Sequence, residues 1–208
     1  MNYRGYLQSD NNQGLISWSP ETHNDLGVAY HVQGEIGLAI EEYREALRIN
    51  PDYADAYSNL GAAYYAQGEV DLAIKSWEDA LRIEPSLAQT HHNLGVAYKA
   101  QGMLALAVNE LEKALRIDPN DADTHFALAQ VCQIQGKAEK AVECYQRFIE
   151  LAAPEDARYV RQAEEEISQL RQMTRVETCD PRQTRSVDEV GFPSVPAAPE
   201  EQLVWAAA

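Results

Sequence analysis

Five histidines, three cysteines and one acid-rich turn are the places where this sequence could do chemistry. A metal site needs His, Cys or carboxylate ligands brought together on one helix face or in one turn. His31 and His92 have no second histidine or cysteine at helical spacing, and His23, His91 and His125 sit in three separate stretches. The run Asp118–Asp123, "DPNDAD", has the acid density of a calcium loop. It lacks the central glycine, and Ala122 and Ala129 stand where ligands would be needed. Cys132, Cys144 and Cys179 show no CxxC spacing, so they predict thiols suited to a reducing compartment rather than a disulfide framework. Phosphate-loop, nucleophile-elbow, zinc-protease and dinucleotide motifs are missing. The sequence predicts no enzyme, no cofactor and no metal.

Charge narrows the partners. Seventeen Lys and Arg stand against 33 Asp and Glu in 208 residues, a net charge of −16. That field disfavours nucleic acid and anionic membranes and favours neutral to basic partners. The opening "MNYRGYLQSDNNQGL" has no apolar core of a secretory signal, and no apolar run nears membrane-spanning length. A cytoplasmic location is expected.

The elements that position these residues follow from a repeat of 34. Pro51, Pro85 and Pro119 fall one period apart, as do Gly34, Gly68, Gly102 and Gly136, each preceded by Gln. Leu26, Leu60, Leu94 and Leu128 form a column, and so do Gly27, Gly61, Gly95 and Ala129. Further columns are Tyr30, Tyr64, Tyr98 and Cys132; Ala39, Ala73, Ala107 and Ala141; and Tyr43, Trp77, Leu111 and Tyr145. A fixed period of this size means stacked supersecondary units. Apolar residues recur at helical spacing on both sides of each Gln-Gly, which predicts two helices per unit. The glycine after Gln ends the first helix in a left-handed conformation, and the proline ends the second. Gly27 and its equivalents cost about 1 kcal/mol each inside a helix, so a close approach is expected, with the Ala39 column facing them. His23, His91 and His125 share a column with Tyr57, which predicts packing for all three. Glu78–Arg82 and Glu112–Arg116 are expected to pair on the outer face.

The pattern L-G-x-x-Y followed by G, A, an aromatic, A and P resembles the tetratricopeptide repeat. The resemblance covers four units, about 20–51, 52–85, 86–119 and 120–154, the fourth being least regular. It implies an all-α solenoid of four stacked antiparallel helix pairs. Ser19 is the expected first N-cap with Pro20 behind it. Residues 155–172 carry Tyr159, Ala163, Ile167 and Leu170 at helical spacing and predict a C-terminal capping helix. The repeat domain is thus expected over 19–172. Residues 1–18, which match no second helix of a preceding unit, and residues 173–208 are expected to be disordered.

The resemblance places first helices on the concave side of the solenoid. Their side chains not needed for packing become the candidate peptide-binding residues. In the first unit these are Asn24, Asp25 and Val28, beside Glu21 and His31; in the second, Asp55, Asn59 and Tyr65, beside Ser58 and Ala62. The third unit gives His92, Asn93, Val96 and Lys99, beside Gln89; the fourth gives Asp123, Phe126 and Gln130, beside Ala127 and Gln133. Asn59 and Asn93 share a column that resembles the asparagine ladder of O-linked N-acetylglucosamine transferase, with Asp25 and Ala127 departing from it. An amide side chain complements a peptide unit's own donor and acceptor. The carboxylate clamp of family co-chaperones is disfavoured, because Asn24, Val28, Gln89 and Asn93 stand where the resemblance would want Lys, Asn, Lys and Arg, so its cations are missing. The expected function is a non-catalytic scaffold or adaptor holding an extended, neutral to basic peptide. Two other uses stay open: self-assembly into a homo-oligomer, and occupation of the groove by the C-terminal tail.

Overall fold

The computed structural model describes residues 18–178, and those residues contain helices and no strand. The remainder of the two segments expected to be disordered, 1–17 and 179–208, lies outside the described residues. Helices α1 (Pro20–Val32) and α2 (Ile36–Ile49) form the first hairpin, and α3 (Ala54–Ala66) and α4 (Val70–Ile83) the second. The third pairs α5 (Ala88–Ala100) with α6 (Leu104–Ile117), and the fourth α7 (Ala122–Ile134) with α8 (Ala138–Leu151). A 3-10 turn, Pro154–Asp156, leads into α9 (Ala157–Thr178). The capping helix therefore begins two residues later than expected and runs six residues further, so 173–178 are helical rather than tail.

Each hairpin turns on its glycine. Gly34, Gly68, Gly102 and Gly136 have φ of 80°, 84°, 75° and 72°. In the first hairpin the Gly34 amide bonds His31 O and the Glu35 amide bonds Tyr30 O, both at 2.9 Å, the two-bond cap that closes a helix through a left-handed residue. Between hairpins, Asn50, Glu84 and Asp118 are extended, as residues before proline must be. Ser19 caps α1 as expected, accepting from the Thr22 amide at 3.3 Å.

The interior corrects one expectation. A methyl on Gly27 would meet Tyr43 Cε1 at 2.5 Å, on Gly61 it would meet Trp77 Nε1 at 2.5 Å, and on Gly95 it would meet Leu111 Cγ at 2.7 Å. The glycine column thus meets the large-residue column first, and in the third hairpin a methyl on Gly95 would also lie 3.2 Å from the backbone oxygen of Ala107, in the Ala39 column. A ring lies flat on bare backbone, and the Trp77 indole reaches over to donate to Ser58 O at 3.0 Å.

The histidine column does pack. His23 Nδ1 meets Glu42 at 2.7 Å, and buried His91 meets Glu110 at 2.7 Å and Pro85 O at 3.0 Å. In the fourth hairpin the column that supplied those glutamates holds Cys144, so His125 keeps its bond to Pro119 O at 3.0 Å but its buried Nδ1 has no partner. The expected outer pairs form differently: Tyr98 donates to Glu78 at 2.8 Å, Lys140 pairs with Glu112, and Arg82 meets Asp79 at 3.3 Å.

Second helices pack on the first helix of the next unit, and first helices also touch one another, whereas second helices make no comparable contact. The stack therefore curves with α1, α3, α5 and α7 on its inner side. At the far end Ala163, Ile167 and Leu170 of α9 are buried against α8.

Candidate functional site

The inner face is built by helix phase: residues not spent on the partner helix or the preceding hairpin point inward. Many of these side chains bond across the repeats. Asn59 Nδ2 donates to Asn24 Oδ1 at 2.9 Å, and Ser58 and Thr90 hydroxyls meet at 2.8 Å. His92 Nδ1 lies 2.7 Å from the Thr124 hydroxyl, which itself donates to Asp121, so the His92 proton sits on Nδ1. Lys99 Nζ donates to Gln130 at 2.6 Å. Gln133 donates to Glu166 at 2.6 Å and accepts from the Tyr145 hydroxyl at 2.8 Å. Apart from Thr124 to Asp121 and Tyr145 to Gln133, which lie within the fourth unit, these bonds join first helices of successive units or the last unit to α9, so the inner face is stitched along its length.

This stitching divides the sequence candidates. Asn24 is only 7% exposed and its acceptor is used, and Ala127 is buried. Phe126 packs against the Tyr145, Phe148 and Tyr159 rings at 5.6, 4.9 and 5.9 Å, so it joins the C-terminal core. Asn59, His92, Asn93, Val96, Lys99 and Gln130 are half-buried. Asn93 Oδ1 accepts from Gln89 of its own helix at 3.2 Å, leaving its amide donors inward. Exposed inner side chains are Glu21, Asp25, Val28, Asp55, Tyr65 and Asp123. Tyr65 leans on the Trp77 ring at 5.8 Å.

The field is negative. Glu21, Asp55 and Asp123 lie in the first turns of their helices, where the helix dipole favours a carboxylate. The Ser19 hydroxyl holds the Glu21 carboxyl below its usual range. Burial, then Asp55, Glu21 and Asp25, pushes the Tyr53 hydroxyl up, which marks how closely these acids gather. Burial pushes Lys99 down. Basic side chains collect on the other side, where Arg82, Lys113 and Arg116 edge a cleft of about 500 Å³ over the His91–Glu110 pair.

Buried Cys132 and Cys144 have their thiols pushed up by burial, Cys144 to about 12, which suits inert packing. Among the described residues no three metal-type side chains are gathered, and no helix is long and apolar enough to cross a membrane. The signal missed in the sequence was a Glu 19 residues after a column histidine, present at Glu42 and Glu110.

No curated protein matches the chain by sequence. Among solved structures it is similar to a crystal structure of MamA, at 25% identity over 72% of this chain and 84% of that one, with a TM-score of 0.62. A second MamA structure matches with a TM-score of 0.62 over 84% of this chain and 98% of that one; at 19% identity it shows the fold alone. A TPR repeat model matches residues 27–68, 63–102 and 98–133, and a tetratricopeptide repeat model matches 122–154. These matches run unbroken from residue 27 to residue 154, and the chain belongs to the tetratricopeptide-repeat family, whose stacked hairpins serve as protein-interaction scaffolds.

Proposed function

We propose that the inner face binds an extended, neutral to basic peptide segment of a partner protein, without catalysis. The observation that carries this reading is the exposed acidic row, Glu21, Asp25, Asp55 and Asp123, on a face whose cation, Lys99, is bonded to Gln130. Neighbouring first helices lie about 8–10 Å apart and an extended chain advances about 3.3 Å per residue. Amides one repeat apart, as Asn59 and Asn93 are, therefore suit a peptide backbone at about every third residue. Asn59 offers its remaining acceptor and Asn93 its donors, and Val28 and Tyr65 offer apolar contact.

An array of unstructured peptides of one length and graded charge tests this. Retention of the full chain should rise with positive charge, fall as salt is raised, and drop for Asp55→Asn/Asp123→Asn. Retention that ignores peptide charge and those substitutions overturns the proposal.

A further inference from the structure

Toward its C-terminal end each second helix carries two charges three residues apart. In α2 they are Glu45 and Arg48, bonded at 2.8 Å; in α4, Asp79 and Arg82 at 3.3 Å; in α8, Arg147 and Glu150 at 2.8 Å. Each of these pairs neutralises itself on the outer side. In α6 the same two positions hold Lys113 and Arg116, two cations. Lys113 turns back to Glu110 at 2.8 Å, and Glu112, one turn before Arg116, pairs with Lys140. Among the described residues, exposed Arg116 has no hydrogen-bond or ion-pair partner.

A helix dipole favours a cation in the last turn, which accounts for Arg48, Arg82 and Arg116 alike. It does not account for Lys113, where α2 and α4 carry an acid. Both cations of α6 border the cleft over the His91–Glu110 pair, and exposed Arg82 of α4 borders it too. At about 500 Å³ the cleft falls within the range of ligand sites, about 300–1,000 Å³. Its acids are already engaged: Glu110 with His91 and Lys113, and Glu78 with the Tyr98 hydroxyl. Leu81, Leu94 and Ile117 give it apolar walls, and Ile117 is exposed.

We propose that this outer cleft docks an acidic segment of a partner protein, with a carboxylate on Arg116 and Arg82 and a neighbouring apolar side chain against Leu81 and Ile117. A carboxylate is the group that α2, α4 and α8 supply from their own chain and α6 omits. Guanidinium groups take it through paired N–H donors. The cleft lies away from the acidic inner face, so an acidic and a basic segment can be held together.

An array of short random-order Glu/Leu peptides, beside Gln/Leu peptides of the same length, tests this with the full chain. The Glu/Leu peptides should be retained in preference. Arg116→Glu gives Lys113 a carboxylate at the spacing of Arg147 and Glu150, so the thermal midpoint should hold or rise. Its retention of Glu/Leu peptides should fall about tenfold or more, the worth of a charged hydrogen bond. Ile117→Ser should lower retention more weakly. Asp55→Asn/Asp123→Asn should leave it unchanged, which separates this site from the inner face. Equal retention of Glu/Leu and Gln/Leu peptides overturns the proposal, as does a preference that survives Arg116→Glu. A marked drop in the midpoint of Arg116→Glu assigns Arg116 to the scaffold and overturns it too. So does a loss of self-association in sedimentation of Arg116→Glu with peptide retention unchanged, which assigns the cleft to a second copy.

Discussion

Asn59 gives its side-chain N–H to Asn24 Oδ1 at 2.9 Å, so two residues read from the sequence as ligand contacts are contacts between repeats. Asn24 is buried and Asn59 half-buried, which separates their roles. Asn24→Ala removes the acceptor and leaves a polar gap, with an expected loss of about 1–3 kcal/mol in unfolding free energy. Asn59→Ala removes the same bond and also the inward acceptor. It should cost comparable stability and, unlike Asn24→Ala, lower peptide retention measured at a temperature where both variants are folded. Equal loss of retention in both variants would assign the pair to the scaffold alone.

The glycine column gives a three-way test by denaturant titration. Gly61→Ala forces a methyl into the Trp77 indole and its bond to Ser58, with an expected loss of about 1–3 kcal/mol and a change in Trp fluorescence. Gly68→Ala has open space but a φ of +84°, so its loss should be about 1–2 kcal/mol with fluorescence unchanged. Gly37 lies in α2 with nothing within 4 Å and no positive φ, so Gly37→Ala should gain about 0.5–1 kcal/mol. A loss at Gly37 would contradict the packing described.

Two buried polar groups can be compared with their satisfied counterparts. Glu110→Ala strips His91 Nδ1 of its acceptor and should cost about 1–3 kcal/mol. The Tyr43 hydroxyl already has no partner, and burial pushes it up to about 12. Removing it in Tyr43→Phe should leave stability unchanged or raise it by about 1 kcal/mol, since no bond is lost and a desolvated group is removed. A clear loss in thermal denaturation of that variant would show that the hydroxyl is held.

The fold was legible because its determinants are local and repeated: each Gln-Gly turn, each proline and each apolar stripe is specified within one unit. The inner face was legible only in part. Asn24 to Asn59, His92 to Thr124 and Lys99 to Gln130 span 35, 32 and 31 residues, so these bonds depend on the stagger between helices from different units. A single-helix reading sets phase and not stagger. Phe126 shows the same limit: α8 and α9 bring Tyr145, Phe148 and Tyr159 beside it, contacts that its own helix does not specify. The error at Gly27 was one of reach, since spacing put Ala39 on the facing stripe and could not show how far the Tyr43 ring extends along it.

His92 ties the stitched face to pH. Burial holds its folded pKa below the ordinary 6.5, outweighing the opposing pull of Asp121 and Asp123, with Lys99 adding to the fall. In the unfolded chain His92 takes a proton near 6.5, while the folded chain resists it, so the unfolded state binds more protons as pH falls. The stability that depends on neutral His92 is complete above about pH 6.5 and is lost as pH falls from there through the folded value, with a slope of at most about 1.4 kcal/mol per pH unit. His92→Asn should therefore be less stable than the parent at pH 8, where the Thr124 bond is intact. The gap should narrow steadily between pH 6.5 and 5. Unfolding titrations at four pH values measure that gap, and a gap that stays constant would remove His92 from the acid response of the fold.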